Sequence, residues 1–92
     1  MKIERAVDRY HREILEDVRS YTVLGYIPGT RNGGWTRADK IERLSEAKAL
    51  GERWMYMNQD MRTVMLYAAD RHNRHVMVGS YDRKLRYTAV DN

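Results

Sequence analysis

The side chains best suited to a chemical role lie in one short segment, Asp70-Arg71-His72-Asn73-Arg74-His75. Two imidazoles three positions apart beside a carboxylate are side chains that hold metal ions. Protein metal sites, however, usually need three or four ligands with ordered supporting partners, and a hairpin tip supplies neither. We therefore interpret the segment as a solvated polar turn, with an electropositive contact tip as the alternative. No metal or cofactor is predicted.

No other set of side chains in the sequence indicates catalysis. No serine lies in a Gly-x-Ser-x-Gly context, and no two carboxylates stand out as a general acid and base. The glycines of residues 29–34 are not followed by the Gly-Lys-Ser/Thr of a P-loop. Cysteine is absent, which excludes disulfides and thiolate metal ligands. We therefore predict that the protein is not an enzyme.

Positive charge is concentrated toward the C-terminus. The formal net charge is +4, with residues 1–20 net zero, residues 21–60 net +1 and residues 61–92 net +3. The excess favours an anionic partner weakly, since arginine is also enriched at ordinary protein interfaces. We predict a binding surface of projecting guanidinium groups. Its expected contact residues are Arg31, Trp35, Arg37, Lys40, Arg71, Arg74, His75, Arg83, Lys84 and Arg86.

The loop at residues 28–35 has two equally weighted interpretations. Asn32-Gly33 is the strongest turn pair in the chain, and Trp35 stands between Arg31 and Arg37. One interpretation is an adaptable contact loop with an aromatic anchor. The other is a hairpin loop whose tryptophan folds back onto the sheet.

The elements that position these residues begin with a helix predicted over residues 2–20. An apolar stripe at spacings of three and four runs along one side of it, formed by Ile3, Val7, Tyr10, Ile14, Val18 and Tyr21. We expect this stripe to dock on the sheet of the same domain; contact with another chain is the alternative.

A strand is predicted over residues 21–27, which are rich in β-branched and aromatic side chains and end at Pro28. Residues 37–44 are ambiguous. Thr36-Arg37-Ala38-Asp39 fits a helix-starting capping box, whereas Ser45 fits the N-cap of a helix that begins later. We favour a strand at residues 40–44 and a helix at about 45–57, whose buried face carries Ala47, Leu50, Gly51 and Trp54.

The period changes to two after Asn58-Gln59-Asp60. Val64, Leu66 and Ala68 point one way and Met65 and Tyr67 the other, which is typical of a half-buried strand. A returning strand at residues 76–78 and a final short strand within 85–90 follow. The prediction is one α+β domain over residues 1–92. A helix at residues 1–20 precedes a strand–strand–helix–strand–strand(–strand) unit with an antiparallel sheet over residues 21–90.

The chain has no apolar run near 18 residues and no signal-peptide pattern. We therefore expect a soluble protein of the cytoplasm.

The order of segments resembles a known group. A strand runs into the helix LSEAKALGERW, and the hairpin TVMLYAADRHNRHVMVGSYDRKLRY follows with a basic aromatic tail. This is similar to small phage-encoded type I-F anti-CRISPR proteins, and the likeness covers roughly residues 21–87. The N-terminal helix and the loop at residues 28–35 depart from the simplest version of that plan, so no contact residue is carried over.

The resemblance implies a viral inhibitor acting in the cytoplasm of an infected bacterial host. It would bind a Cascade-like RNA-guided surveillance complex, possible contact with the guide RNA included, and block target DNA binding or hybridisation. Such complexes hold nucleic acid in positively charged channels. Because this chain is basic, mimicry of DNA is disfavoured, and a wedge of arginines against acidic patches or guide phosphates fits better.

Two other functions remain open. A small basic nucleic-acid-binding protein could use Tyr67, Tyr81 and Tyr87 as stacking groups on its sheet. A homodimeric structural protein could pair through an exposed strand edge or through the first helix.

Overall fold

The structure is a computed structural model that describes residues 6–29 and 34–90, with side chains from Arg9 onward in the first helix. The predicted α+β class is confirmed. The elements in chain order are α1 (Ala6–Leu15), β1 (Ser20–Tyr26), β2 (Trp35–Ile41), α2 (Leu44–Met57), β3 (Thr63–Ala69), β4 (His75–Tyr81) and β5 (Tyr87–Ala89).

The five strands form one sheet in the order β2-β1-β3-β4-β5, and every neighbouring pair is antiparallel. β1 lies between β2 and β3, so the chain leaves β2, crosses the sheet as α2 and returns as β3. The register pairs Val23 with Leu66, Leu66 with Gly79, and Tyr81 with Tyr87. Main-chain hydrogen bonds between neighbouring strands therefore connect all five strands of this small domain.

Both helices cover the same face of the sheet. α2 packs on Val23, Val64 and Leu66, and α1 places the fully buried Ile14 against Ala68 and Val76. Val64, Leu66 and Ala68 are two residues apart along β3 and share one face, as the alternation predicted. The core is therefore one layer between helices and sheet.

The predicted face of α2 is confirmed, and Met55 is buried with it. Ala47 and Gly51 are buried, and Leu50 and Trp54 pack against the same cluster. Met57, at the end of α2, is 72% exposed.

The first helix ends earlier than the apolar stripe predicted. α1 stops at Leu15, and Tyr21 belongs to β1. The Arg19 N–H donates to the Ala69 carbonyl oxygen at 2.8 Å, which starts the pairing of this segment with β3. Tertiary hydrogen bonds therefore override a helical pattern that the sequence continues for two more turns.

The strand favoured for residues 40–44 is real but displaced, because β2 spans Trp35–Ile41. The register shifts between Tyr21 and Val23, and Lys40 opposite this bulge has φ 62°. The predicted N-cap at Ser45 is wrong. α2 begins at Leu44, and its N-cap Arg43 makes no side-chain capping hydrogen bond.

Gly51 sets the distance at which α2 lies on the sheet. A Cβ at this position would meet Val64 Cγ1 at 2.9 Å, and Val64 is stiff and fully buried. Gly51→Val is expected to lower the free energy of unfolding by about 2–3 kcal/mol through overpacking. Urea denaturation measures this value. Arg53→Val places the same side chain on the exposed face of α2, so equal losses in both variants would contradict the packing explanation.

Candidate functional site

The face of the sheet opposite the helices is not covered by any element of the described residues. Its side chains alternate with those that face the helices, and cross-strand neighbours pair Leu24 with Met65 and Tyr26 with Trp35. We call this surface the open face and define its apolar part by six residues: Leu24, Tyr26, Trp35, Met65, Tyr67 and Met77.

Aromatic and thioether groups dominate the open face. Trp35 is 53% exposed, and its ring lies 4.8 Å from the Tyr26 ring, centroid to centroid, at an interplanar angle of 41°. The Tyr67 hydroxyl donates to Met65 Sδ at 3.7 Å. Trp35 therefore sits on the sheet beside a second aromatic ring, and both remain accessible to a partner.

A polar cluster interrupts the apolar part of the open face. The buried Thr22 hydroxyl donates to Asp39 Oδ1 at 2.8 Å, and Arg37 Nε donates to both Asp39 oxygens at 3.0 Å. The Thr22 hydrogen bond, together with Arg37 and His75, holds the pKa of the Asp39 carboxyl below its usual value. His75 Nε2 lies 3.5 Å from Thr22 Oγ1. Three strands therefore contribute to one charged network.

Two shallow depressions open beside this network. The larger, about 270 Å³, is lined by Leu24 and Tyr67 in addition to Thr22, Arg37 and His75. The smaller, about 130 Å³, is also lined by Thr22, Arg37 and His75, and Lys40 is among its other lining residues. The structure thus brings together Arg37, Lys40 and His75 from the predicted contact set.

The predicted contact residues of the β3–β4 turn are engaged within the chain. Arg71 Nε donates to Asp17 Oδ2 at 2.7 Å, and Arg74 Nε donates to Asp70 Oδ2 at 2.6 Å. Arg74 also reaches Glu13 Oε2 at 3.3 Å. These bonds fasten the turn to α1 and to the segment that follows it.

Asp70 organises this turn from a buried position. Its carboxylate accepts from the backbone N–H groups of His72 and Arg74 and from the Arg74 guanidinium. Burial alone raises the pKa of Asp70, but the Arg74 and His72 hydrogen bonds outweigh it and hold the pKa below the usual value. The segment is a polar turn as predicted, with one carboxylate at its centre.

The two arginines of the β4–β5 turn also have partners. Arg83 Nη1 donates to the Met61 carbonyl oxygen at 2.8 Å, and Arg86 Nε donates to Asp82 Oδ2 at 2.9 Å. Lys84, at the tip, donates its backbone N–H to the Asp82 carboxylate and exposes its side chain. Each described arginine of the predicted contact set therefore already has a hydrogen-bond acceptor within the chain: Arg37, Arg71, Arg74, Arg83 and Arg86.

The predicted contact residues do not form one patch. The β3–β4 turn lies at one end of β4 and the β4–β5 turn at the other, separated by a seven-residue strand of roughly 20 Å. Arg31 lies outside the described residues. Sequence reasoning missed half of the open face: no contact role was predicted for Leu24, Tyr26 or Met77, although the two-residue period already opposed Met65 and Tyr67 to the core.

Two tyrosines proposed as stacking groups face the helices instead. Tyr81 is 1% exposed and donates its hydroxyl to Glu52 Oε1 at 2.9 Å. Burial, followed by this hydrogen bond to a carboxylate, raises the pKa of Tyr81. The Tyr87 ring packs on Tyr81 with centroids 5.1 Å apart. Only Tyr67 of the three lies on the open face.

The carboxylates give the fold a defined acid sensitivity. Hydrogen bonds from Arg71 to Asp17, from Thr22 to Asp39 and from Arg86 to Asp82 hold the pKa of each acceptor below the usual 3.8, as in Asp70. The unfolded chain therefore binds more protons in acid. The stabilisation is complete above the unfolded pKa and is lost as the pH falls through the folded values.

We expect the melting temperature to fall by about 10 °C or more between about pH 6 and about pH 2. Circular dichroism measures it. Asp70→Asn should start from a lower melting temperature and show a shallower decline, because one of the carboxylates no longer titrates. A melting temperature that is constant or rises below about pH 4 would contradict these pKa directions.

Comparisons of the chain with protein-family models, with curated proteins and with solved structures found no match. Within residues 6–29 and 34–90, no three histidine, aspartate or glutamate side chains are placed to share a metal ion. None of the helices in this part of the chain is long and apolar enough to cross a membrane.

Proposed function

We propose that this chain is a non-enzymatic inhibitor that docks its open face onto a type I-F CRISPR RNA-guided surveillance complex and blocks target DNA binding. The docking part of this proposal is supported by the exposed apolar side chains of the open face. Six apolar side chains remain partly or largely accessible on a sheet whose other side packs its central strands against the two helices. Aromatic and methionine side chains are the types enriched at protein interfaces.

A protein partner is favoured over a nucleic acid by the ion pairs. Sequence-independent binding to DNA or RNA relies on cations that are available to neutralise phosphates. On the open face, Arg37 is already paired with Asp39, and Arg71 and Arg74 bind carboxylates at the β3–β4 turn. The positive net charge therefore does not indicate how the open face binds a partner. Apolar contact area contributes more to binding on this face than charge does.

The identity of the partner is supported by the resemblance of residues 21–87 to type I-F anti-CRISPR proteins. A docked sheet that occupies a protein surface beside the DNA channel would obstruct duplex entry or heteroduplex formation. This mode needs no acidic mimicry of DNA, which suits a chain of net charge +4. The protein would then act in the cytoplasm of an infected bacterial cell.

The direct test measures association with a purified, guide-loaded type I-F surveillance complex and the binding of its DNA target. Wild-type protein should bind and should reduce DNA binding in a saturable manner. Absence of association at micromolar concentration would remove this partner.

Trp35→Ala tests the surface. As the most exposed aromatic side chain of the open face, Trp35 should contribute enough that its truncation weakens association by about 30-fold. Tyr56→Ala is the matched control, because Tyr56 is 81% exposed on α2, on the other side of the molecule. Its affinity should remain within about twofold of wild type. Equal losses, or loss in Tyr56→Ala alone, would place the interface elsewhere.

A second candidate, single-stranded nucleic-acid binding, is favoured by one observation. Tyr26, Trp35 and Tyr67 present rings on an open antiparallel sheet, an arrangement on which bases stack. Binding of free RNA or DNA that weakens steeply between about 50 mM and about 200 mM salt would favour this candidate. Association with the protein complex should weaken far less over the same range.

A further inference from the structure

The polar cluster of the open face carries a more specific inference about what the partner presents. Arg37 uses Nε to contact both oxygens of Asp39, at 3.0 Å each. Among the described residues, its two terminal amino groups have no hydrogen-bond acceptor. A guanidinium held on one side by a carboxylate keeps a fixed orientation and offers its remaining N–H groups as a fork.

The space next to this guanidinium has a polar side and an apolar side. The depression of about 270 Å³ is lined by Arg37, His75 and Thr22 and by Leu24 and Tyr67. Thr22 Oγ1 donates to Asp39 Oδ1, and His75 Nε2 lies 3.5 Å from the same hydroxyl oxygen. The depression thus has the Arg37 guanidinium on its polar wall and an aliphatic and an aromatic group on the other.

The charges around the depression select an anion. The Arg37 guanidinium lines it and Lys40 lines the adjoining smaller depression, whereas Asp39, the carboxylate of that smaller depression, is already satisfied by Thr22 and Arg37. A carboxylate adds one negative charge and two oxygens in the plane that a guanidinium fork matches. A dianionic phosphate would face stronger repulsion from Asp39.

We infer that the open face contains a carboxylate-binding subsite, formed by Arg37 and His75 beside Leu24 and Tyr67, which takes an acidic group and an adjoining apolar group from the partner protein. This inference rests on the proposed docking function of the same face. It assigns Arg37 a binding role despite its internal ion pair, since Asp39 occupies only one side of the guanidinium. A nucleic-acid strand is disfavoured because Arg37 on the open face and Arg71 and Arg74 at the β3–β4 turn are each already paired with a carboxylate.

A titration with small probes tests the subsite without the surveillance complex. The probe is N-acetyl-phenylalaninate, which carries a carboxylate beside an aromatic ring, and the matched control is N-acetyl-phenylalanine amide. Amide NMR spectra of the ¹⁵N-labelled protein should show shifts at Thr22, Leu24 and Tyr67 with the carboxylate, at a dissociation constant of about 1–10 mM. The amide should shift these signals at least about fivefold less at equal concentration.

Arg37→Gln should abolish the response to the carboxylate while keeping a dispersed, folded spectrum, because Arg37 is exposed. Arg37→Lys keeps the charge but loses the fork, so its response should be weakened by about fivefold or more. Equal responses to carboxylate and amide, or an unchanged response in Arg37→Gln, would overturn the subsite. So would tighter binding of a thymidine dinucleotide at the same residues, which would instead indicate a nucleic-acid strand.

The titration distinguishes failure of the subsite from failure of the docking proposal. Loss of the carboxylate response with intact association to the surveillance complex would leave the docking proposal standing and remove the subsite. Conversely, a carboxylate response without any association to the complex would keep the subsite and remove the proposed partner.

Discussion

Leu66→Ala is expected to lower the free energy of unfolding by about 3–5 kcal/mol. Leu66 is fully buried on β3, where it pairs with Val23 on one side and Gly79 on the other. The sheet is continuous on both sides, so the backbone has little freedom to collapse into the space that the side chain leaves. Urea or thermal unfolding followed by circular dichroism measures the loss.

Met65→Ala is the matched control for Leu66→Ala. Met65 is the preceding residue of β3, points to the open face and is partly exposed. Its truncation should cost less than about 1.5 kcal/mol, since much of the side chain already contacts water. Comparable losses in the two variants would contradict the assignment of one packed and one open face.

Charge reversal at Arg71 and Arg74 together is expected to lower the melting temperature by about 10 °C or more. The reason is that the two guanidinium groups bind Asp17, Asp70 and Glu13 across 54, 4 and 61 residues of chain. Reversal places like charges at hydrogen-bonding distance and leaves the buried Asp70 without its cation.

The control for this double variant is Lys84→Glu, which reverses a charge on an exposed turn at the other end of β4. Its melting temperature should stay within about 3 °C of wild type. Hydrogen exchange should show where the double variant opens, with faster exchange at the β3–β4 turn and in α1. A double variant as stable as wild type would show that these ion pairs do not hold the turn to α1.

Most of the fold, and the division of side chains between the core and the open face, could be predicted from local sequence patterns. The alternation of Val64, Met65, Leu66 and Tyr67 separates core from open face in the sequence itself, because side chains along a strand alternate. The face of α2 was likewise readable from its spacing. The predicted ends of helices and strands were wrong where contacts between residues distant in sequence determine them. The Arg19 N–H, for example, bonds to the Ala69 carbonyl, and β1 begins at the next residue.

The candidate site could not be predicted for a related reason. Whether an arginine is available depends on partners such as Asp17 for Arg71, which lie 54 residues away and meet it only after folding. The composition showed a positive excess but not where it is neutralised. Which sheet face stays uncovered depends on α1 and α2 packing on the same side, and helix spacing alone does not determine that side.

Methionine methyl NMR of the protein bound to the guide-loaded surveillance complex tests the central claim most directly. Met65 and Met77 lie on the open face, Met57 is 72% exposed on α2, and Met55 and Met61 are buried in the core. We predict that the Met65 and Met77 methyl signals shift or broaden on binding while Met57 stays unchanged. A response at Met57 with Met65 and Met77 unaffected would contradict docking through the open face.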